Sequence, residues 1–176
     1  DINMLGACSG GLTTTSLLGH YAALGEKKVH ALTLLVSVLD NRLETDVALF
    51  ADEKSLELAK RRSYQAGVLE GSDMAKVFAW MRPNDLIWNY WVNNYLLGNE
   101  PPVFDILAWN ADTTNLPAQL HADYLDLVEL NPYMNPNSMQ VAGEWIDMRK
   151  VKVGAYVVGG TTDHITPWKG CYGTAR

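Results

Sequence analysis

Apolar positions open the chain as Ile2, Met4 and Leu5 and give way at once to Gly6-Ala7-Cys8-Ser9-Gly10-Gly11. That pattern predicts a strand over 2–7 and a sharp turn. A helix follows from Gly11 to about Ala23, with Gly25 as its C-terminal stop. The next run, Val29-His30-Ala31-Leu32-Thr33-Leu34-Leu35-Val36, is nearly continuous and apolar, as a parallel strand buried on both faces requires. It ends at Ser37-Val38-Leu39-Asp40, where polar residues return. Strand, helix and strand in this order make a right-handed βαβ unit.

Helical spacing then dominates. Residues 52–66 are amphipathic around Leu56, Leu58 and Ala59. Ser72-Asp73 can cap a helix through Met74, Val77, Phe78 and Met81. Asn84-Asp85 can cap another, through Trp88, Trp91 and Tyr95, closed by Gly98. Asn115 and Pro117 fit the N-cap and first turn of a helix reaching about Leu130. A strand signal returns only at Val151–Val158, before Gly159-Gly160-Thr161-Thr162-Asp163-His164. A plain crossover needs on the order of a dozen to thirty residues, so the stretch between the two strands holds a large surplus. The expected organisation is an α/β core over 1–40, a helical cap over 41–130, and a return to the core over 131–176. The chain opens with Asp1 and a strand begins at once, so a piece of a longer protein is expected.

Composition narrows the class. With 48% hydrophobic and 19% charged residues the chain is an ordinary globular sequence. A net charge of −6 argues against a nucleic-acid surface. The two cysteines, Cys8 and Cys171, form no disulfide framework, so a reducing, cytoplasmic setting is expected. Neither a membrane span nor a signal peptide is read from the sequence. Scattered histidines and cysteines show no metal-ligand spacing, so no metal is expected.

The candidate chemistry sits in Gly6-Ala7-Cys8-Ser9-Gly10. Gly-x-Cys-x-Gly between a strand and a helix has the layout of a nucleophile elbow, with cysteine in place of serine. That layout belongs to the α/β-hydrolase fold. Glycines two before and two after the nucleophile are expected to prevent side-chain collisions at the turn. The backbone N–H of Ser9, next after the nucleophile, is the expected oxyanion donor.

Cys8 needs a base and an acid. The working edge of a parallel sheet lies at the carboxyl ends of its strands. His20 falls about 15 Å along the elbow helix at 1.5 Å per residue. His30 starts its strand, and His121 lies within a predicted helix, where packing explains it. His164 follows a strand, but adjacent side chains on extended backbone point to opposite sides. Asp163 and His164 therefore do not serve one triad easily. The order nucleophile, acid, histidine puts Asp163 at the acid position, with Asp40 as a rival, and puts the histidine beyond Arg176.

Further blocks carry a family resemblance. Gly6–Gly11, Arg82-Pro83-Asn84-Asp85-Leu86-Ile87-Trp88-Asn89-Tyr90, Val92–Leu96 and Phe104-Asp105-Ile106-Leu107 are followed by Trp109-Asn110-Ala111-Asp112, Asn115-Leu116-Pro117 and Asp163-His164-Ile165 with Pro167-Trp168. Together they resemble polyhydroxyalkanoate synthases along essentially the whole length. Ala7, Ser9, Phe50–Glu53 and Ala79-Trp80-Met81 are most similar to the medium-chain-length type of pseudomonads. Gly160-Thr161-Thr162 and Glu144-Trp145 depart from the family pattern.

The resemblance implies a Cys-His-Asp acyltransferase that polymerises (R)-3-hydroxyacyl-CoA and releases CoA, with no other cofactor. It implies Cys8 as nucleophile and Asp163 as acid, with Asp40 or His164 in support. It further implies a homodimer and association with polyester granules in the cytoplasm. A cysteine hydrolase of the same fold and a non-catalytic granule-binding protein are the alternatives.

Overall fold

The computed structural model describes residues 2–40, 42, 52–101, 103 and 105–175. In chain order the elements are β1 (Ile2–Ala7), α1 (Ser9–Leu24), β2 (Val29–Leu35), α2 (Glu53–Ala66), β3 (Val68–Leu69) and α3 (Gly71–Met81). Two π-helical stretches follow, Asn84–Trp88 and Trp91–Leu96, then α4 (Asp105–Ala111), β4 (Leu116–Pro117) and α5 (Ala118–Leu130). The chain continues with β5 (Gln140–Val141), β6 (Glu144–Trp145), a 3₁₀ turn (Met148–Lys150), β7 (Gly154–Val158) and α6 (Trp168–Thr174). They divide into two compact units, Asp1–Leu56 with Leu125–Arg176, and Glu57–Tyr124.

The first unit is built on a parallel sheet in the order β1–β2–β7. Leu32 and Leu34 of the central β2 are buried, whereas Ile2 and Leu5 of β1 and Tyr156 of β7 are exposed. Among the described residues β1 pairs on one side only, with β2. Helix α1 packs on β1 and β2, and its Gly19 lets it lie against Ile146, where a Cβ would come within 3.0 Å. Gly25 ends it with φ 71°, the left-handed cap that the sequence suggests. The loop after α5 braces the helix from outside. Buried Tyr133 donates its hydroxyl to the Leu12 carbonyl (2.8 Å) and shares a hydrogen bond with Ser16 Oγ (2.9 Å).

The second unit shows how helix caps are traded. Ser72-Asp73 does not cap α3; the helix begins one residue earlier, at Gly71. Its Gly71 N–H is taken instead by the side chain of Asn115 (Oδ1, 3.0 Å), so this residue caps α3 rather than α5. Helix α5 starts at Ala118, next to the short β3–β4 pairing. The Asn84–Leu96 segment is helical as expected, but most of it is wound as two π-helical stretches, and Gly98 closes it with φ 68°. Helices α4 and α6 have no counterpart in the sequence reading; both are only seven residues long, too short to show a period.

Buried Ser63 of α2 and His121 of α5 share a hydrogen bond (Oγ to Nδ1, 2.7 Å). Burial pushes His121 below its ordinary value, so the folded unit favours the neutral ring. The unfolded chain takes up the proton near pH 6.5 while the folded unit resists it. Stability is therefore full above that pH and falls as the pH drops through it. Thermal unfolding followed by tryptophan fluorescence should show a lower midpoint at pH 5.5 than at 7.5, with the slope gone in His121→Gln. Ser63→Ala, which strips the buried ring of its partner, should cost about 1–3 kcal/mol at neutral pH.

Candidate active site

The three strands end level. Ala7 is in register with Leu35 and Leu35 with Val158, so the residues after them share one edge of the sheet. Hydrogen bonding runs one residue further on each side: Cys8 N–H donates to the Leu35 carbonyl (2.9 Å) and Val36 N–H to the Val158 carbonyl (2.7 Å). Cys8 therefore leaves β1 with its amide fixed.

Its carbonyl is fixed as well. Gly11 N–H (2.9 Å) and the hydroxyl of Ser37 (3.0 Å) both donate to it. Between these two anchors Cys8 adopts φ 50° and ψ −121°. A non-glycine residue held there costs about 1–3 kcal/mol and persists only where its surroundings over-determine it. The side chain makes no cap bond to α1 and is exposed. Ser9 N–H, the first of the helix, has no acceptor among the described residues. A helix N-terminus favours negative charge, so this N–H can receive an oxyanion beside the sulfur.

The glycines explain why the turn is so tight, with one correction. A Cβ at Gly6 would lie 2.5 Å from Thr14 Oγ1 and 2.7 Å from the Gly10 carbonyl. At Gly10, two residues after the cysteine, it would meet nothing within 4 Å. The second steric constraint is at Gly11, where a Cβ would overlap the hydroxyl of Ser37. Gly10 lies away from the sheet, whereas Gly11 faces the loop after β2.

The loop after β7 carries Asp163. Its Oδ1 accepts the N–H groups of Ile165 and Thr166 (2.9 Å each), and its Oδ2 accepts the Thr166 hydroxyl (2.9 Å). Burial raises the carboxyl, but these donors outweigh it and hold Asp163 below its ordinary value. His164 is half-buried, its Nε2 enclosed without a partner, and none of the described hydrogen bonds joins it to Asp163. Cys171 of α6 is buried beneath this loop, with its thiol pushed up by burial and then by the charge of Asp163. It stays a neutral S–H and donates weakly to the Thr166 carbonyl (3.6 Å).

Asp40 lies past β2 on the same side, but its carboxylate is occupied. Arg42 grips both oxygens with its guanidinium (Nε 2.9 Å, Nη2 2.8 Å), its backbone N–H adds a third donor (3.1 Å) and Asn131 Nδ2 a fourth (3.0 Å). The Arg42 fork holds it far below the usual carboxylate range.

Cys8 and Asp163 thus stand at the same sheet edge, on strands two spacings apart, about 10 Å. The other histidines lie elsewhere. His20 Nδ1 is bonded to the Val141 carbonyl (2.9 Å), His30 is exposed at the start of β2, and His121 is paired with Ser63. None of the described hydrogen bonds links Cys8 to a histidine. Among the described residues no cluster of three or more His, Cys, Asp or Glu could hold a metal, and no helix is long and apolar enough to cross a membrane. Ser37 and Thr166 escape the sequence reading. Thr166 had a signal, since Asp followed three residues later by Thr-Pro reads as a side-chain-closed turn. Ser37 had none, because its partner is set by strand register.

The family model described as alpha/beta hydrolase fold matches residues 1–176. The chain is 68% identical over 176 residues to poly(3-hydroxyalkanoate) polymerase 1 of Ectopseudomonas oleovorans, covering 100% of this chain and 32% of that protein. It is 56% identical to polymerase 2 of the same organism, over 99% of this chain and 31% of that one. With poly(3-hydroxyalkanoate) polymerase subunit PhaC of Cupriavidus necator the identity is 38%, over 97% and 30%. The chain spans about a third of the length of these curated relatives.

The glycines give a direct test of the turn. Gly11→Ala should destabilise by about 1–3 kcal/mol through overpacking against Ser37. Gly10→Ala should be neutral or stabilise by up to about 1 kcal/mol, having room for its methyl group. Urea unfolding of the two variants compares them, and equal losses would contradict the geometry.

Proposed function

The chain belongs to the α/β-hydrolase fold family, and from that premise we propose that it carries the nucleophile and the acid of an acyltransferase that polymerises (R)-3-hydroxyacyl-CoA. The observation that carries the reading is the strained Cys8 at the carboxyl end of β1. It occurs in a chain 68% identical to a protein named poly(3-hydroxyalkanoate) polymerase 1.

In this reading Cys8 Sγ attacks the thioester carbonyl of the substrate and its proton passes to an imidazole. The oxyanion is received by Ser9 N–H. As the tetrahedral intermediate collapses, the bond to the CoA sulfur breaks and CoA leaves with the proton, so one thioester has been exchanged for another. The imidazole then takes the proton from the hydroxyl of a second 3-hydroxyacyl group. That oxygen attacks the carbonyl carbon of the Cys8 thioester and forms the new ester bond, the carbon–sulfur bond breaks, and Cys8 Sγ departs, taking the proton back from the imidazole.

Cysteine suits this cycle because the enzyme-bound thioester stays reactive toward the incoming hydroxyl, whereas a serine ester would be more stable and slow the transfer. Asp163 is assigned to orient the imidazole, since it has acceptor capacity left, whereas Asp40 is consumed by Arg42 and Asn131. With His20 and His121 engaged elsewhere, and His164 unbonded to either partner, the base is assigned to a histidine outside residues 1–176. The same reading takes the growing polyester as product and a homodimer at the granule surface as the working form.

The test uses the full-length protein with (R)-3-hydroxyacyl-CoA. Release of CoA with insoluble polyester is expected; free hydroxy acid in its place would instead indicate a hydrolase. Cys8→Ala should abolish turnover, and Asp163→Asn should lower it by about 10²–10⁴-fold, as loss of the orienting acid does in triads. Undiminished CoA release from Cys8→Ala would overturn the assignment.

A further inference from the structure

The turn after β7 does more than carry an acidic side chain; it leaves that side chain one free direction. An ionised carboxylate has about four acceptor positions, two on each oxygen. At Asp163 both positions on Oδ1 are filled, by the N–H groups of Ile165 and Thr166 (2.9 Å each). Oδ2 has one filled, by the Thr166 hydroxyl (2.9 Å). One position on Oδ2 is left.

Thr166 is the residue that grips both oxygens, with its amide on one and its hydroxyl on the other. The two amide bonds to Oδ1 do not by themselves fix rotation of the carboxylate, because the terminal torsion of Asp is broad. The hydroxyl on Oδ2 fixes it. Thr166 is held in turn: its carbonyl receives the S–H of buried Cys171, and the following Pro167 is the N-cap residue of α6. The turn is closed from the other side by Asp163 N–H donating to the Gly160 carbonyl (3.3 Å).

We propose that Thr166 is a positioning residue, whose hydroxyl turns the open lone pair of Asp163 Oδ2 toward the imidazole that serves Cys8. The inference rests on the reading of Asp163 as the acid, and its test separates the two. Thr166→Val keeps the shape and the backbone N–H while deleting the O–H; Thr166→Ser keeps the donor. Both are made in the full-length enzyme, alone and with Asp163→Asn, and CoA release from (R)-3-hydroxyacyl-CoA gives kcat and KM. Thermal midpoints check that each variant is folded.

Thr166→Val is expected to lower kcat about tenfold or more with KM within about twofold, because a misdirected group costs rate rather than binding. Thr166→Ser should recover to within about threefold of the parent. In the Asp163→Asn background the Val substitution should change kcat by less than about twofold, since its effect runs through a carboxylate already gone. If the Val protein is insoluble, Thr166→Ala is read by the same criteria. Unchanged kcat in Thr166→Val beside a crippled Asp163→Asn would overturn the role of Thr166 while leaving the acid in place. Losses that multiply in the double variant, or no recovery with Ser, would overturn it equally. Full activity in Asp163→Asn would overturn both readings together.

Discussion

The constraint on which the proposed site depends is a backbone conformation. Cys8 stands at φ 50°, in a region that a side chain disfavours, because its amide is claimed by β2 and its carbonyl by Gly11 and Ser37. Releasing either anchor would let the chain relax toward an ordinary turn. The turn that joins β1 to α1 at Cys8 and Ser9 would then lose its present shape. A second strained residue sits beside it, since Val36, at the end of β2, has φ 47°. A β-branched residue there is a genuine outlier. Its N–H bonds to Val158 and the next residue is Ser37, so the distortion of one loop delivers the hydroxyl that holds the other.

The parallel sheet follows from the same logic. β2 lies between the strand that precedes Cys8 and the strand that leads to Asp163. Level strand ends turn two loops separated by about 150 residues of sequence into neighbours on one edge. The interval holds much helix, including the unit Glu57–Tyr124. That unit has its own buried pair, Ser63 and His121.

Much of this is legible in the sequence. The apolar run Val29–Val36 and the return of a strand signal near Val158 marked two strands of the sheet, and Gly25 marked the end of the elbow helix. Those signals are local: burial on two faces and a left-handed cap each leave a trace in adjacent residues. What stayed hidden depends on partners distant in sequence. Asn115 looks like the cap of the helix that follows it, yet it caps α3, because the β3–β4 pairing brings the start of that helix within reach. Gly10 and Gly11 are indistinguishable by motif, and only the position of Ser37 tells which one is forced. The engagement of Asp40 with Arg42 and Asn131 was equally out of reach.

Helix α6 gives the edge a property of its own. Its Thr174 donates to the Ser37 carbonyl (3.2 Å) and accepts the Leu39 N–H (3.0 Å), while its Cys171 reaches Thr166. Gly159 and Gly170 bring the helix so close to its neighbours that a Cβ would press on Cys171 and Val38 respectively. One short helix therefore braces the support of the cysteine at one end and the support of the aspartate at the other. Local opening of such a brace frees both at once. On heating, the two halves of the site should be lost in a single cooperative event, ahead of the sheet that bears them.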